Sequence, residues 1–214
     1  LKEALAPRFA AVARLRDDTR DRGNGAMHPL QLGRELAALM PADAIYVGDG
    51  ADIQSWMYGA IAVRHAPGFM DHYPLGAMGV GTPLAVGAAT AACDIAADAG
   101  APVRHTVLVT GDGSFGFHAA ELHAAALAGL RLVVIIGNDG AWGTEVHEQR
   151  DAIGADINTR LGALAYELVA TGFGCRGIRV ERLAELRPAL QRAFAAEGPV
   201  VVNVLIDPEA GAAL

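Results

Sequence analysis

Two apolar runs within residues 105–143, each ending in a glycine-containing turn, constrain the fold more than any other feature of the sequence. The first run ends in G-D-G around Asp112, a helix of small residues follows, and the second run ends in N-D-G around Asp139. This order predicts a strand, a turn, a helix, a second strand and a second turn. Because a crossover connection joins parallel strands, both turns should open at the same edge of the sheet. We therefore expect Asp112 and Asp139 to lie close together.

Strand and helix patterns alternate from residue 44 to residue 207 and extend this unit into a larger domain. The alternation predicts an α/β fold with a doubly wound, mostly parallel sheet and helices on both faces. A hydrophobic content of 52% agrees with strands that are covered on both sides. We predict a loop at residues 67–81, an active-site flap or a short exposed helix at residues 144–157, and a helix at residues 159–173.

Composition and the two ends of the chain narrow the functional classes. A net charge of −7 argues against nucleic acid as a partner, and the longest apolar runs are too short to span a membrane. Cys93 and Cys175 lack metal-ligand spacing, which favours a cytoplasmic protein with packed thiols and leaves a disulfide between them open. We predict a linker helix from a missing upstream region at residues 1–24, one domain at residues 25–208 and a tail at residues 209–214.

The G-D-G-S-F-G stretch after the first apolar run matches the G-x-G-x-x-G pattern of dinucleotide sites, so an NAD-dependent dehydrogenase is one alternative. Asp112 can also serve only as a helix cap. However, an aspartate between the first two glycines would repel a pyrophosphate unless a cation lay between them. Mg²⁺ prefers carboxylate, carbonyl and phosphate oxygens. We therefore expect Asp112, Asp139 and a carbonyl near Ala141 to bind it together with a diphosphate.

Donors for a diphosphate are present in the same turns. Gly113 and Ser114 directly follow Asp112 and can offer N–H and hydroxyl groups to a phosphate. The earlier turn at residues 48–52 ends another predicted strand at the same edge, and we expect it to hold the distal phosphate. The chain contains no G-x-x-x-x-G-K-[ST] sequence, so we do not expect a P-loop nucleotide site.

Two segments together carry a resemblance to a known family. The G-D-G motif at residues 111–113, followed by N-D at residues 138 and 139, resembles the diphosphate-binding motif of thiamine-diphosphate (ThDP) enzymes. The segment L-G-A-M-G-V-G-T-P-L-A-V-G-A-A, at residues 75–89, resembles the preceding segment of the acetolactate-synthase-like group. The similarity covers residues 25–208 and implies a pyrophosphate-binding (PP) domain, with ThDP and Mg²⁺ as cofactors.

The resemblance also implies a set of metal ligands. Asp112 corresponds to the family's first ligand, Asp139 to the second and the carbonyl of Ala141 to the third. The family usually has Asn-Asn where this chain has Asn138 and Asp139. An alternative register therefore has Asn138 and Gly140 as ligands.

Further residues are implied to touch the cofactor. Met78 corresponds to the bulky residue that supports ThDP in its bent V conformation, and Gly76 corresponds to a carbonyl that faces the aminopyrimidine. The complete set implied to bind the cofactor is Gly50, Ala51, Asp52, Ile53, Gly76, Met78, Gly111, Asp112, Gly113, Ser114, Asp139, Ala141, Trp142 and Gly143.

The resemblance implies a ThDP- and Mg²⁺-dependent carbon–carbon lyase or carboligase that acts on 2-keto acids or 2-hydroxyacyl compounds. The motif W-G-x-x-x-H-x-Q, which begins at Trp142, is similar to benzaldehyde lyase and to the 2-hydroxyacyl-CoA lyase branch. His147 within it is either a catalytic proton relay or a solvated surface residue. A ThDP-dependent 2-keto acid decarboxylase and a noncatalytic subunit are the remaining alternatives.

The family's active site has a second half. The glutamate that activates the aminopyrimidine belongs, in this family, to a separate pyrimidine-binding domain, and no segment of this chain resembles that domain. We therefore expect an upstream domain or a partner subunit to complete the site. We also expect a homodimer or homotetramer, because the site of this family forms between subunits.

Overall fold

The computed structural model describes residues 25–210, which contain one six-stranded sheet. The predicted linker helix at residues 1–24 and residues 211–214 of the predicted tail lie outside the described residues. All strand pairs are parallel, and the strand order is β2-β1-β3-β4-β6-β5. The strands are β1 (Ile45–Gly48), β2 (Phe69–Met70), β3 (Thr106–Gly111), β4 (Leu132–Asn138), β5 (Arg176–Val180) and β6 (Val200–Leu205).

The first helix precedes β1, and the later helices lie in the crossovers between successive strands. They are α1 (Pro29–Leu39), α2 (Asp52–Ala60), α3 (Gly81–Ala99), α4 (Asp112–His118), α5 (Leu122–Leu127), α6 (Gly143–Ile153), α7 (Tyr166–Gly172) and α8 (Leu183–Phe194). Local sequence explains several ends. Helix α1 begins after His28, whose ring accepts a hydrogen bond from the N–H of Leu30 at 3.1 Å. Helix α3 ends at Gly100, which adopts φ +60°, a conformation that favours glycine.

The sheet separates two apolar layers, because successive side chains along a strand point to opposite faces. Val107 and Val109 of β3 pack in one layer with residues of α1, α2 and α8. Leu108 packs in the other layer with residues of α3, α4, α5 and α7. Burying each such aliphatic side chain stabilises the fold by about 1.5–3 kcal/mol. The predicted doubly wound α/β sheet with helices on both faces is confirmed.

The chain leaves strands β1 and β3 in opposite directions along the sheet. It passes from β1 to the edge strand β2, and from β3 to β4 on the other side. In parallel sheets, ligands bind beyond the carboxyl ends of the strands where the winding direction changes. The register pairs Gly48 with Val109 and Gly111 with Gly137, so the turns after β1, β3 and β4 meet at one edge.

The prediction of a helix throughout residues 159–173 was wrong in its first half, since α7 begins only at Tyr166. The N–H groups of Leu161 and Gly162 donate to the carbonyl of Gly140, at 2.8 and 2.9 Å, instead of bonding within a helix. Gly162 also has φ +77°, which does not fit an α-helix. Residues 159–165 are therefore held against the turn that follows β4.

Two other predicted segments have more regular structure than expected. The predicted loop at residues 67–81 contains the short edge strand β2. Of the two predictions for residues 144–157, the helix is correct, because α6 runs through Ile153 and ends at Gly154, which has φ +72°. Within residues 25–210, no helix has the length and apolarity needed to cross a membrane.

Candidate functional site

A cleft opens at the sheet edge where the turns after β1, β3 and β4 meet. These turns lead directly into the N-termini of α2, α4 and α6, whose backbone N–H groups favour anions. The cleft is lined by Gly50, Ala51, Asp52, Ile53, Met78, Gly111, Asp112, Gly113, Ser114, Gly137, Asp139, Ala141, Trp142, Gly143, Thr144, Glu145 and Ile206. The structure thus brings together every residue predicted to touch a cofactor except Gly76, which lies in the exposed loop before Met78.

Asp112 and Asp139 come together in this cleft from neighbouring strand ends. Asp112 is only 2% exposed, and its carboxylate accepts hydrogen bonds from the N–H groups of Gly113 at 2.9 Å and Gly140 at 3.0 Å. Asp139 is half-buried and accepts a hydrogen bond from the N–H of Ala141 at 3.1 Å. Both carboxylates therefore have fixed orientations before any ligand arrives.

The two carboxylates repel each other inside the protein. Burial raises the pKa of Asp112 above its usual range, and the negative charge of Asp139 raises it further. Burial also raises the pKa of Asp139, against the lowering effect of the Ala141 N–H, and the charge of Asp52 adds to the rise. No Lys, Arg or His forms an ion pair with Asp112 or Asp139 among the described residues. A cation from outside the chain would relieve this repulsion.

Protein groups alone do not complete a metal site. Within residues 25–210, no three His, Cys, Asp or Glu side chains are arranged to hold a metal ion together. Two carboxylates and a carbonyl fit an ion such as Mg²⁺ when a bound phosphate supplies the other oxygens. The donor set therefore fits a metal that arrives with a diphosphate.

Asn138 points away from the cleft. Its side-chain amide donates to the carbonyl of Leu164 and to the Oδ1 atom of Asn203, both at 3.0 Å. Its own oxygen accepts a hydrogen bond from the N–H of Gly140 at 3.2 Å. Asn138 does not line the cleft, so the geometry favours the register in which Asp139, rather than Asn138, faces a metal.

Met78 lines the cleft and lies beside the first turn of α4. The hydroxyl of Ser114 donates to the sulfur of Met78 at 3.8 Å, which joins the loop before α3 to the G-D-G turn. Gly76, two residues earlier, is exposed, and its N–H donates to the carbonyl of His72 at 2.9 Å. Gly76 is not among the residues that line the cleft.

Trp142 explains why residue 113 is a glycine. A Cβ atom at Gly113 would lie 2.6 Å from the Trp142 ring, far inside van der Waals contact. The Trp142 ring also packs against Phe117, with 5.8 Å between the ring centroids. The indole therefore covers the G-D-G turn and forms one wall of the cleft.

The structure does not bring His147 to the cleft. This residue lies in the second turn of α6, and its Nε2 atom is buried and has no hydrogen-bond partner among the described residues. His147 as a whole is partly exposed, and no contact among the described residues supports the proton relay. Gly137, Thr144, Glu145 and Ile206 also line the cleft, although they are not among the residues predicted to bind the cofactor. Ile206 follows β6, and only the tertiary structure shows that β6 pairs with β4.

The part of the chain that forms the cleft matches a known protein family. Residues 49–204 match the model of a family described as thiamine pyrophosphate enzyme, C-terminal TPP binding domain. The chain belongs to this family. Thiamine pyrophosphate is ThDP, so the predicted cofactor class and the predicted acetolactate-synthase-like group are confirmed. The TPP-binding domain includes all three turns that form the cleft.

Relatives come from more than one branch of ThDP enzymes. The chain is 38% identical over 184 residues to the acetolactate synthase large subunit IlvG of Mycobacterium tuberculosis, covering 85% of this chain and 32% of that protein. It is 34% identical over 193 residues to a 2-hydroxyacyl-CoA lyase of Oryza sativa subsp. japonica, covering 86% and 32%. The chain thus spans about a third of the length of the curated relatives it matches.

Solved structures share the same fold. A thiamine diphosphate-dependent 4-hydroxybenzoylformate decarboxylase of Rhodococcus jostii RHA1 superimposes with a TM-score of 0.76 at 25% identity, over 86% of this chain and 33% of that one. A benzoylformate decarboxylase of Polynucleobacter necessarius superimposes with a TM-score of 0.80 at 20% identity, over 89% and 35%. The second likeness concerns the fold alone.

Proposed function

We propose that the protein containing this TPP-binding domain is a ThDP- and Mg²⁺-dependent carbon–carbon lyase or carboligase. Its substrates are 2-keto acids or 2-hydroxyacyl compounds, and this chain binds the diphosphate half of the cofactor. The observation that carries the proposal is the pairing of the buried Asp112 with the half-buried Asp139, because no Lys, Arg or His of the described residues forms an ion pair with either.

Each part of the cleft has a role in this proposal. The side chains of Asp112 and Asp139 and the carbonyl of Ala141 would hold Mg²⁺. The N–H groups of Gly113 and Ser114, with the turn at residues 50–53, would hold the diphosphate. Bound ThDP supplies an electron sink for the carbonyl carbon of the substrate.

The same two carboxylates argue against a dehydrogenase site. In a dinucleotide site the pyrophosphate approaches the glycine turn directly, with no metal between them. Here Asp112 occupies the centre of that turn, and Asp139 and Asp52 add negative charge beside it. An NAD pyrophosphate would therefore approach the carboxylates of Asp112 and Asp139, with which no Lys, Arg or His of the described residues forms an ion pair.

Among the described residues, those that line the cleft offer no cationic partner for a substrate. The residues that line the cleft include no Lys, Arg or His. A 2-keto acid carries a carboxylate, which in a buried site needs a partner. We propose that a pyrimidine-binding domain, upstream or on a partner subunit, supplies that partner together with the activating glutamate. The assembly would then be a cytoplasmic homodimer or homotetramer.

A ThDP-dependent decarboxylase is the second candidate. The Rhodococcus structure, which is named a 4-hydroxybenzoylformate decarboxylase, shares the fold of this domain at 25% identity. Both activities need the same diphosphate site, so this chain does not separate them. A product screen with pyruvate, aromatic acyloins and acyl-CoA donors would distinguish the two activities, because a decarboxylase releases an aldehyde without a coupled product.

Calorimetry on the complete protein tests the cofactor proposal. ThDP should bind tightly with Mg²⁺ present and weakly after chelation, and Asp112→Ala should reduce the affinity more than 100-fold, since a buried ligand of the cation is lost. Asp98→Ala, at an exposed position on α3, is the matched control and should leave the affinity unchanged. An affinity for ThDP that changes neither on removal of Mg²⁺ nor in Asp112→Ala would refute the proposal. If the complete protein binds ThDP but converts none of the substrates, a noncatalytic subunit would be favoured.

A further inference from the structure

The loop that carries Met78 is held in place through the backbone of the next residue, Gly79. On one side, the Oδ1 atom of Asp49 accepts a hydrogen bond from the Gly79 N–H at 3.1 Å. On the other side, the Nδ1 atom of His118 lies 2.9 Å from the Gly79 carbonyl. A carbonyl only accepts, so His118 must donate from Nδ1. Gly79 is thus held at both its N–H and its carbonyl.

Asp49 has further bonds to the backbone around this loop. Its Oδ2 atom accepts a hydrogen bond from the N–H of Gly81 at 2.8 Å, at the start of α3. Its Oδ1 atom also accepts from the N–H of Gly50 at 2.8 Å. The Asp49 side chain is 1% exposed, so these three N–H groups replace water around its carboxylate. Asp49 therefore connects the turn after β1 to the Met78 loop.

Close packing surrounds the backbone of this loop at residues 79–81. Gly79 has φ +86°, and a Cβ atom there would lie 2.5 Å from the Cβ atom of Phe117. A Cβ atom at Gly81 would lie 2.4 Å from the Cβ atom of Asp49. The backbone at residues 79–81 therefore packs closely between Asp49 and Phe117, which restricts the position of the Met78 backbone that precedes it.

Neither Asp49 nor His118 lines the cleft. Their contacts reach it through Gly79 and Met78, and for Asp49 also through Gly50. We propose that Asp49 and His118 are positioning residues that fix Met78 beside Ser114. This inference rests on the proposed function, in which Met78 supports the bent cofactor.

The first experiment uses Asp49→Asn in the complete protein loaded with ThDP and Mg²⁺. The substitution keeps the shape of the side chain but replaces one accepting oxygen with an amide group that cannot accept. We expect kcat to fall by about 10- to 100-fold, the scale of a small misplacement of a group that orients reactants. The Kd for ThDP should change less than about threefold, because the metal and diphosphate ligands remain.

A double-mutant cycle separates positioning from general damage. If Asp49 acts through Met78, then Asp49→Asn should lower kcat only slightly in a protein that already carries Met78→Ala, because the side chain that Asp49 positions is gone. Amide hydrogen exchange adds a readout independent of activity. Peptides covering residues 76–82 should exchange faster in Asp49→Asn than in the wild type, with or without cofactor, while peptides from β3 and β4 should not change.

His118 provides a second and milder test, because it lies at the exposed end of α4 and its replacement should not unfold the domain. His118→Ala should lower kcat about fivefold, the scale of one lost hydrogen bond. His118→Asn should restore activity, since its side-chain amide can donate from nearly the same place as Nδ1. His123→Ala, at an exposed position on α5, is the control, and its kcat should equal that of the wild type.

The outcomes distinguish the two proposals. An enzyme that binds ThDP and turns over normally with Asp49→Asn, or in which the effects of Asp49→Asn and Met78→Ala simply add, would overturn the positioning role and leave the proposed function standing. A wild-type protein that fails to bind ThDP would overturn both. If Asp49→Asn does not fold, the comparison of His118→Ala with His118→Asn decides: equal activities would overturn the role.

Discussion

At the scale of single residues, the cleft depends on two aspartates that differ in what they contact. Asp112 accepts hydrogen bonds from Gly113 and Gly140, whereas Asp139 accepts one from Ala141 and faces the additional charge of Asp52. The pairing of Asp112 with Asp139 could be predicted from the sequence, because strand order along a crossover brings both turns to one edge. Their unequal hydrogen bonding could not.

Asp139→Asn should be tolerated far better than Asp112→Ala. An amide oxygen can still serve as a metal ligand, and the substitution removes one of two neighbouring negative charges. We expect the affinity for ThDP with Mg²⁺ to fall by about tenfold or less, which corresponds to ~1.4 kcal/mol. Thermal unfolding of the ligand-free protein should shift upward. A loss of binding as large as that of Asp112→Ala would show that both carboxylates are required.

The contribution of Asp112 and Asp139 to the stability of the ligand-free protein should fall as pH rises. Folding raises the pKa of both groups, so the folded protein retains protons that the unfolded chain has already released. The stability that this pair contributes is therefore fully present below the ordinary aspartate range and is lost as pH rises from that range towards neutral pH. Mg²⁺ with ThDP should reverse the trend, because the cation replaces the proton. Thermal unfolding of the ligand-free protein at several pH values tests this prediction. The midpoint temperature should fall less steeply with pH in Asp139→Asn than in the wild type, and equal slopes in the two proteins would contradict the prediction.

At the scale of elements, one buried polar network connects β4 and β6 to Leu164 and to α7. Asn203 of β6 is fully buried and donates to the carbonyl of Leu164 at 3.1 Å and to a carboxylate oxygen of Glu167 at 2.7 Å. Its own oxygen accepts from Asn138. The network joins β4 and β6 to α7, and it explains why Asn138 turns away from the cleft.

Asn203→Ala should lower the free energy of unfolding by about 1–3 kcal/mol, because it leaves the buried amide of Asn138 and the carbonyl of Leu164 with fewer partners. Denaturant unfolding measures this change. Arg182→Ala, which removes an exposed ion pair with Glu185, is the control and should cost less than about 1 kcal/mol. Equal effects of the two substitutions would mean that the network contributes little.

The helix predicted over residues 159–173 shows what local pattern misses. Leu161, Leu164 and Leu168 have spacing that suits a helix. Yet Gly140, twenty-one positions before Leu161 in sequence, offers a carbonyl that accepts from the backbone of residues 161 and 162. This long-range pairing outweighs the local preference for a helix, so the segment stays extended until Tyr166.

At the scale of the whole molecule, apolar side chains remain exposed near the cleft. Leu75 is 90% exposed and Tyr73 62% exposed in the loop before Met78, and Phe117 is 58% exposed beside Trp142. Large apolar groups clustered at a functional cleft commonly mark an interaction surface. We expect the pyrimidine-binding domain or a second subunit to cover them.

Leu75→Glu should therefore weaken assembly of the complete protein without unfolding this domain. Sedimentation velocity should show a shift towards smaller species, with the dimer dissociation constant raised at least about tenfold. Leu127→Glu, at a 77% exposed position on α5, away from the cleft lining, is the control and should leave the assembly intact. A wild-type protein that is active as a monomer would contradict the expected oligomer.

The sequence by itself determined the parallel α/β fold, the meeting of three turns at one edge and the chemical nature of the Asp112–Asp139 pair. These follow from apolar periodicity and from the handedness of crossovers, which do not depend on side-chain detail. Only the tertiary structure decided that Asn138 faces β6, that residues 159–165 are not helical, and that Asp49 and His118 hold Gly79 from both sides. Each of these rests on hydrogen bonds between residues far apart in sequence, and no local pattern records which distant partner a polar group will meet.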